Sequence, residues 1–332
     1  MATIYEVSKL ANVSLATVSR VMNGNTKVSD KTREKVLSAM RELGYRPNAT
    51  ARSLASNRTD TVGVLVSELN GAFFGEMMAG IEQELRLADK HVIITTGHSE
   101  EEKEKDGIEF LLSRNCDALI LHVEGVSDEY MIELSKGKVP VYLVGRNIEQ
   151  ISENCISLDN EYGGYLATTS ILAQGHKEIA YIAGQQFKPD AIERFAGHKK
   201  ALSEAGVELN QSLFFEGDFK ETGGAAGIKA LLATGIPFTA LVCANDEMAS
   251  GAMKYAREHG IDLPKDLSII GFDNVIFANY LYPKLTTVEY PIFEMGQMGA
   301  KLALREVYGK QDVYVKQVFS PQLKMRDSTL PV

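Results

Sequence analysis

Ser14-Leu-Ala-Thr-Val-Ser-Arg-Val-Met-Asn23 is the stretch from which this 332-residue chain is read. Ser14 can cap a helix in which Val18 and Val21 point inward, leaving Leu15, Ala16, Ser19 and Arg20 outside. Just before it, Thr3 and Glu6 have the spacing of a capping box, so a first helix can start at Ile4. Ile4, Val7, Leu10 and Ala11 share one face of that helix. Asn12 interrupts the face, and Asn tolerates the left-handed conformation a tight turn needs. Two short helices joined so tightly form a helix-turn-helix, whose second helix would enter the major groove of DNA.

A third helix is expected after Ser29, with Val36, Met40 and Leu43 inside and Gly44 as its stop. A three-helix domain that binds no DNA is the plain alternative, and charge decides against it. Residues 1–60 carry ten Lys/Arg against five Asp/Glu, a charge of +5. The whole chain is at −9, so the remainder is at −14. A basic head on an acidic body puts an anionic partner at the head.

Composition is that of an ordinary globular protein, 45% hydrophobic and 24% charged, with length for two or three domains. No apolar run approaches the roughly 20 residues of a membrane span, and no membrane partner is expected. The N-terminus lacks the apolar h-region of a signal peptide, so a cytoplasmic location is expected. Cys116, Cys155 and Cys243 lie far apart, without metal-ligand spacing, and read as buried free thiols. No metal site and no cofactor are expected.

The basic stretch Ala49-Thr-Ala-Arg-Ser-Leu-Ala-Ser-Asn57 is too short and polar for a stable helix by itself. It reads equally as a flexible linker and as a segment that folds against DNA, with Leu54 as a minor-groove wedge.

From Thr61 the pattern changes to alternating strands and helices. Val62–Val66, His91–Thr96, Ala118–His122 and Val139–Val144 are expected strands, with helices from about Phe74 and through 100–114. A second set begins after Ile156-Ser-Leu-Asp-Asn160. Its strands are Ile179–Ala183, Ser212–Glu216, Thr239–Cys243 and Leu267–Gly271, with helices around 161–174, 190–205, 222–234 and 246–259. The expected class is α/β: two doubly wound parallel-sheet lobes enclosing a cleft at the carboxyl ends of their strands. The acidic run Glu100-Glu-Glu-Lys-Glu-Lys-Asp106 reads as a solvated helix start.

Candidate ligand contacts sit where strands end. Asn245 and Asp273 follow strands, and Arg194 lies near the start of a helix. A carboxylate, an amide and a guanidinium suit a polyhydroxylated ligand, whose hydroxyls both donate and accept. Phe73, Phe74 and Phe219 fall on expected loops and can offer apolar faces to a sugar ring. The catalytic signatures Gly-x-Ser-x-Gly, Gly-x-x-x-x-Gly-Lys, Gly-x-Gly-x-x-Gly and His-Glu-x-x-His are absent, so no catalytic residue is assigned and the chain is not expected to be an enzyme.

With these residues in place the chain resembles the lactose/galactose-repressor family of bacterial transcription regulators, over nearly its whole length. The head motif from Thr3 to Asn23 and the run Gly44-Tyr-Arg-Pro-Asn-Ala…Arg-Ser-Leu-Ala55 carry the likeness. Glu193-Arg-Phe-Ala-Gly, Ala244-Asn-Asp-Glu-Met-Ala, Ile270-Gly-Phe-Asp-Asn and Pro283-Lys-Leu-Thr-Thr-Val extend it through the body.

The resemblance implies a helix-turn-helix domain over 1–47, a hinge segment over 48–60, and a periplasmic-binding-protein-like body over 61–332. One lobe would span about 61–160 and 291–320, the other about 161–290 and 321–332. It implies a sugar-released repressor of carbohydrate genes that binds operator DNA as a homodimer, without a cofactor. Two alternatives remain: a corepressor-driven regulator sensing a purine-like ligand, and a sugar-binding protein with a vestigial head. Leu15, Ala16 and Arg20 would read bases. Thr3, Ser14, Thr17, Ser19, Asn23 and Thr32 would position the head on phosphates or bases, and Asn48, Ala51 and the minor-groove wedge Leu54 would also bind DNA. Arg194, Asn245 and Asp273 would hold ligand hydroxyls, with Phe219 against the ring. Gly145 departs from the polar residue many sugar-binding members carry there, which leaves Arg146 or Asn147 to compensate.

Overall fold

The computed structural model describes residues 2–22, 28–46 and 58–332, in two compact units that divide at Asp60. The expected roles of Asn23, Asn48, Ala51 and Leu54 fall outside the described residues.

In the first unit, α1 (Ile4–Ala11) starts at a full capping box: Glu6 N–H donates to Thr3 Oγ1, and Thr3 N–H donates to the Glu6 carboxylate at 2.7 Å. Asn12 takes the left-handed conformation (φ 53°) and turns the chain into α2 (Leu15–Met22). Ser14 caps that helix through Thr17 N–H at 3.2 Å. In α3 (Asp30–Glu42), Ser29 stands at the N-cap without a side-chain cap bond; its hydroxyl pairs with Thr32 instead. Val7, Ala11, Val18, Val21, Val36 and Ala39 form the core, with Ile4, Met40 and Leu43 against it. Leu10, expected inside, is 45% exposed, because Ala11 and Val7 already fill the inner stripe of so short a helix.

The second unit carries two six-stranded sheets. The first orders as β11-β5-β4-β3-β1-β2, built from β1 (Thr61–Val66), β2 (His91–Thr96), β3 (Ala118–Leu121), β4 (Val141–Val144), β5 (Cys155–Leu158) and β11 (Val318–Phe319). The second orders as β12-β10-β9-β8-β6-β7, from β6 (Ile179–Ala183), β7 (Phe214–Glu216), β8 (Ala240–Cys243), β9 (Ser268–Asp273), β10 (Thr286–Glu289) and β12 (Gln322–Lys324). All pairs are parallel except β10 with β12. β1, β3, β4, β6, β8 and β9 are apolar runs buried on both faces, as parallel strands covered by helices must be. The covering helices are α4 (Ala72–Leu87), α5 (Glu101–Ser113), α6 (Asp128–Ser135), α7 (Asn160–Leu172), α8 (Pro189–Glu204), α9 (Glu221–Ala233), α10 (Asp246–Glu258) and α11 (Ile292–Tyr308).

The chain passes between the lobes three times: at Asp159, at Tyr290–Pro291 and at Ser320–Pro321. Residues 156–158, expected to mark a boundary, are the fifth strand of the first sheet. Phe73 and Phe74, expected on a loop, lie in the first turn of α4, and Asp273, expected beyond its strand, closes β9.

Three helix pairs cross with glycines facing each other's backbone. A Cβ on Gly164 of α7 would overlap the Arg194 carbonyl of α8, and one on Gly197 of α8 would overlap the Glu161 carbonyl of α7. Gly80 and Gly296 stand the same way between α4 and α11, and Gly224 and Gly251 between α9 and α10. The three cysteines are free and buried.

Glu104 corrects the reading of the acidic run. Its neighbours Glu100 and Glu101 pair with Lys103 and Lys105 at the surface, but Glu104 is fully buried. Its carboxylate accepts the backbone N–H groups of Glu124, Gly125 and Val126 at 2.8–2.9 Å and so fixes the turn after β3. The sequence shows only seven polar residues in a row. Which of them faces inward depends on a turn 20 residues away.

Candidate functional site

On the head, Ala16 and Arg20 are exposed, and Leu15, Thr17 and Ser19 are half-buried. Val18 and Val21 anchor the opposite face of the same helix. The hydroxyls of Thr3, Ser14 and Thr32 serve first as caps or cap partners. Ser14 pairs with Thr17 at 2.9 Å and Ser29 with Thr32 at 3.0 Å. Backbone N–H groups at helix N-termini and hydroxyl O–H groups are the donors a phosphate oxygen requires.

In the body a cavity of about 340 Å³ opens between the lobes. It is lined from below and above by the carboxyl ends of the strands: Ser67 after β1, His122 after β3, Gly145 after β4, Lys188 after β6, Asn245 after β8 and Asp273 ending β9. Phe73, Phe74, Arg146, Arg194, Phe219, Asn245 and Asp273, the residues expected here, all reach its wall. Asn147, the other residue considered to compensate for Gly145, does not line it.

Arg194 is 3% exposed and spends its guanidinium on the protein. Nε donates to Asn160 at 3.0 Å, Nη1 to the Ala244 carbonyl at 2.7 Å and to Asp273 at 3.5 Å, and Nη2 meets Asp190 at 3.2 Å. The plane lies 3.9 Å over the Phe272 ring. Asn245 is likewise engaged: its Oδ1 caps α10 through Met248 N–H, and its Nδ2 holds the Phe219 carbonyl at 2.9 Å. That bond secures Phe219 in a left-handed conformation (φ 67°), with its ring lying against Gly184. Arg146 points away to Val126 O and Asp128. These three side chains build the frame.

Other groups in the wall keep bonding capacity free for a ligand. Asp190 Oδ1 is buried with no hydrogen-bond partner among the described residues. Asp273 keeps one oxygen clear of its long contact with Arg194. Burial pushes its carboxyl well above the usual range, which the Arg194 charge only partly offsets. Phe73, Phe74, His122 and Tyr290 form an aromatic wall, with centroids 5.0 Å apart for Phe73–Tyr290 and 5.2 Å for Phe74–His122. His122 was not singled out in the sequence, where it is one residue at the end of an apolar run.

The structure also accounts for Gly145. Its φ is +93°, and an added Cβ would stand 2.9 Å from His122 Cδ2 and 3.2 Å from the Tyr290 hydroxyl. The imidazole from the neighbouring strand fills the space a side chain there would need.

Asp246, behind the cavity floor, is fully buried and accepts Val275 N–H at 2.9 Å and the Thr287 hydroxyl at 2.6 Å. Burial raises its pKa to about 7, although both bonds favour the charged form. A carboxyl with a native pKa above its unfolded value of about 3.9 stabilises the fold fully below that value. The contribution is lost as pH rises through 7. Asp246→Asn should therefore reduce the fall in stability between pH 5 and pH 7.5, read by urea melts. An unchanged fall would assign it to another group.

Among the described residues no helix is long and apolar enough to cross a membrane, and no three His, Cys, Asp or Glu side chains are grouped to hold a metal ion.

A helix-turn-helix head and a two-lobed, cleft-bearing body define a ligand-responsive DNA-binding regulator. Residues 3–48 match the model of bacterial regulatory proteins, lacI family, and residues 168–329 that of a periplasmic binding protein-like domain. The chain is 40% identical over 328 residues to the HTH-type transcriptional regulator GalR of Escherichia coli K12, spanning 99% of this chain and 96% of that one. It is similar to a lac repressor dimer bound to operator and an anti-inducer (TM-score 0.87, 31% identity, 99% of both chains). It is also similar to the regulator CelR in complex with cellobiose (TM-score 0.72, 31% identity, 99% of this chain and 100% of that one). The chain belongs to the lacI family of bacterial regulatory proteins, and is a transcriptional regulator and not an enzyme.

Proposed function

We propose that this protein is a homodimeric repressor of carbohydrate-utilisation genes, released from its operator by a galactoside- or glucoside-like sugar. One observation carries the reading. A single chain joins an exposed α2 face to a 340 Å³ cavity lined by aromatic rings and acidic side chains, one of which, Asp190, has a buried oxygen without a partner among the described residues. Rings cover the apolar face of a sugar, and carboxylates accept its hydroxyls. The operator and cellobiose in the related structures point the same way.

Leu15, Ala16 and Arg20 read bases in this proposal, while Thr3, Ser14, Thr17, Ser19 and Thr32 set the head on the backbone. The 48–60 segment, with Leu54, is the hinge between head and body. Sugar favours an arrangement of the body that binds operator less well, and by linkage operator disfavours sugar.

Titrating sugars into an operator-binding assay tests this. Weakened binding is expected. Strengthened binding by a purine would replace the inducer with a corepressor, and operator binding that ignores every ligand would refute both. Arg20→Ala should lose about 1–3 kcal/mol at one guanine-containing base pair, read across a panel of operator variants. Unchanged affinity for every variant would remove Arg20 from base reading.

A further inference from the structure

Glu124 and Lys188 come from opposite lobes and meet inside the cavity. Lys188 Nζ lies 3.0 Å from Glu124 Oε2, and each side chain is only 10% exposed. The same Oε2 accepts the hydroxyls of Ser67, at 2.8 Å, and Ser99. Burial alone would raise the Glu124 pKa, but nearby His122, Lys188 and Ser99 hold it down at about 2, so the group stays ionised. The backbone beneath it is pinned by buried Glu104, and Lys188 immediately precedes Pro189 and α8. Both members of the pair are therefore placed by rigid supports.

The bonding leaves capacity toward the cavity. Among the described residues the partners of Glu124 all bond to Oε2, and Oε1 has none. Among the described residues Lys188 uses one of its three N–H donors, and its ammonium lies 5.3 Å from the ring centroid of Phe219. An acceptor and a donor are thus side by side, next to an aromatic face. A vicinal diol matches that pattern: one hydroxyl donates to the carboxylate while its neighbour accepts from the ammonium.

We propose that Glu124 and Lys188 form a cross-cleft subsite that reads two adjacent hydroxyls of a neutral sugar. This rests on the sugar-responsive reading above. Because each lobe supplies one half, a bound diol ties the lobes together. A ligand with a carboxylate or phosphate in this place would meet the carboxylate of Glu124, with Asp190 across the same cavity, and is disfavoured.

The test uses the full-length protein with D-galactose, D-glucose, D-ribose and cellobiose, and the monodeoxy forms of whichever binds most tightly, by calorimetry. Glu124→Gln and Lys188→Met should each weaken the parent sugar about 10- to 150-fold, as for a lost charged hydrogen bond. For one monodeoxy sugar, the penalty seen with wild type should vanish in the variants, because the missing hydroxyl no longer has its partner. A latch that merely held the lobes would weaken every analogue alike, and that result, or unchanged affinities, would overturn the proposal. Glu124→Gln conserves shape and is read even if Lys188→Met melts early. If wild type binds none of the four sugars, the sugar-responsive reading itself fails, and the subsite with it.

Discussion

Arg194→Ala should lose about 3–5 kcal/mol of stability in urea melts, as when one partner of a buried charge network is removed. The sequence suggests a different outcome, a folded protein blind to its ligand, because Arg194 lies where ligand-binding residues are expected. The bonds Arg194 makes within the protein are the ground for expecting a loss of stability as well. Asp190 and Asp273 would face each other across an emptied site, and the Ala244 carbonyl and Asn160 amide would lose their donor. The Phe272 face would lose the plane stacked on it at 3.9 Å. Asp273→Asn is the contrasting variant. Burial already favours its neutral form, so an amide there should cost much less. A loss below about 1 kcal/mol for Arg194→Ala would return the guanidinium to the ligand.

Gly197→Ala should destabilise by about 3 kcal/mol, against the usual sign for a helix interior. Replacing an exposed helical glycine by alanine normally stabilises by about 0.5–1 kcal/mol, because the chain has less freedom to lose. At Gly197 the added methyl would occupy the same space as the Glu161 carbonyl of α7. The two helices would have to part, and overpacking typically costs 1–3 kcal/mol or more when backbone must move. Gly75, in α4, has open space around its would-be Cβ and supplies the control. Gly75→Ala should gain stability by roughly the helix-propensity difference. If both substitutions moved the urea midpoint the same way, close approach would not be what selects glycine in α8.

These two cases mark where the sequence is legible and where it is not. The helix-turn-helix is a local object, specified by caps and an apolar stripe within twenty residues. The buried strands are apolar runs, and nearly all were recognisable. The elements not assigned were α6, β5, β10, α11 and the two short edge strands β11 and β12. α11 packs on α4 and on the first sheet; its polar residues Glu294, Gln297, Lys301, Arg305 and Glu306 leave an apolar stripe, so its period was there to be read. Site positions at strand ends were also legible, since the parallel architecture fixes where they converge. What the residues there do was not. Arg194 bonds to a residue 79 positions away, Lys188 to one 64 positions away, and Glu104 to a turn reached only after β3. Those partners are set by tertiary packing, and a single sequence carries no trace of it.

The three crossings between the lobes bear on the order in which the molecule can be made. The first lobe begins at β1, yet its α11 and its edge strand β11 come from residues 292–319. By the time they leave the ribosome, β6 to β10 and the helices between them have already been synthesised. The second lobe then waits for β12, a three-residue antiparallel edge, and for the tail after it, which bonds to Ser268, Ile269, His176 and Gln174. Domains tend to fold as their chain emerges, N-terminal parts first. Here the lobe begun first is finished only after most of the second exists. Until then β5 has an open side and α4 lacks the helix that covers its glycine face. A translation product cut short between β5 and α11 would keep both surfaces exposed, and so would be a natural target for chaperones and proteases.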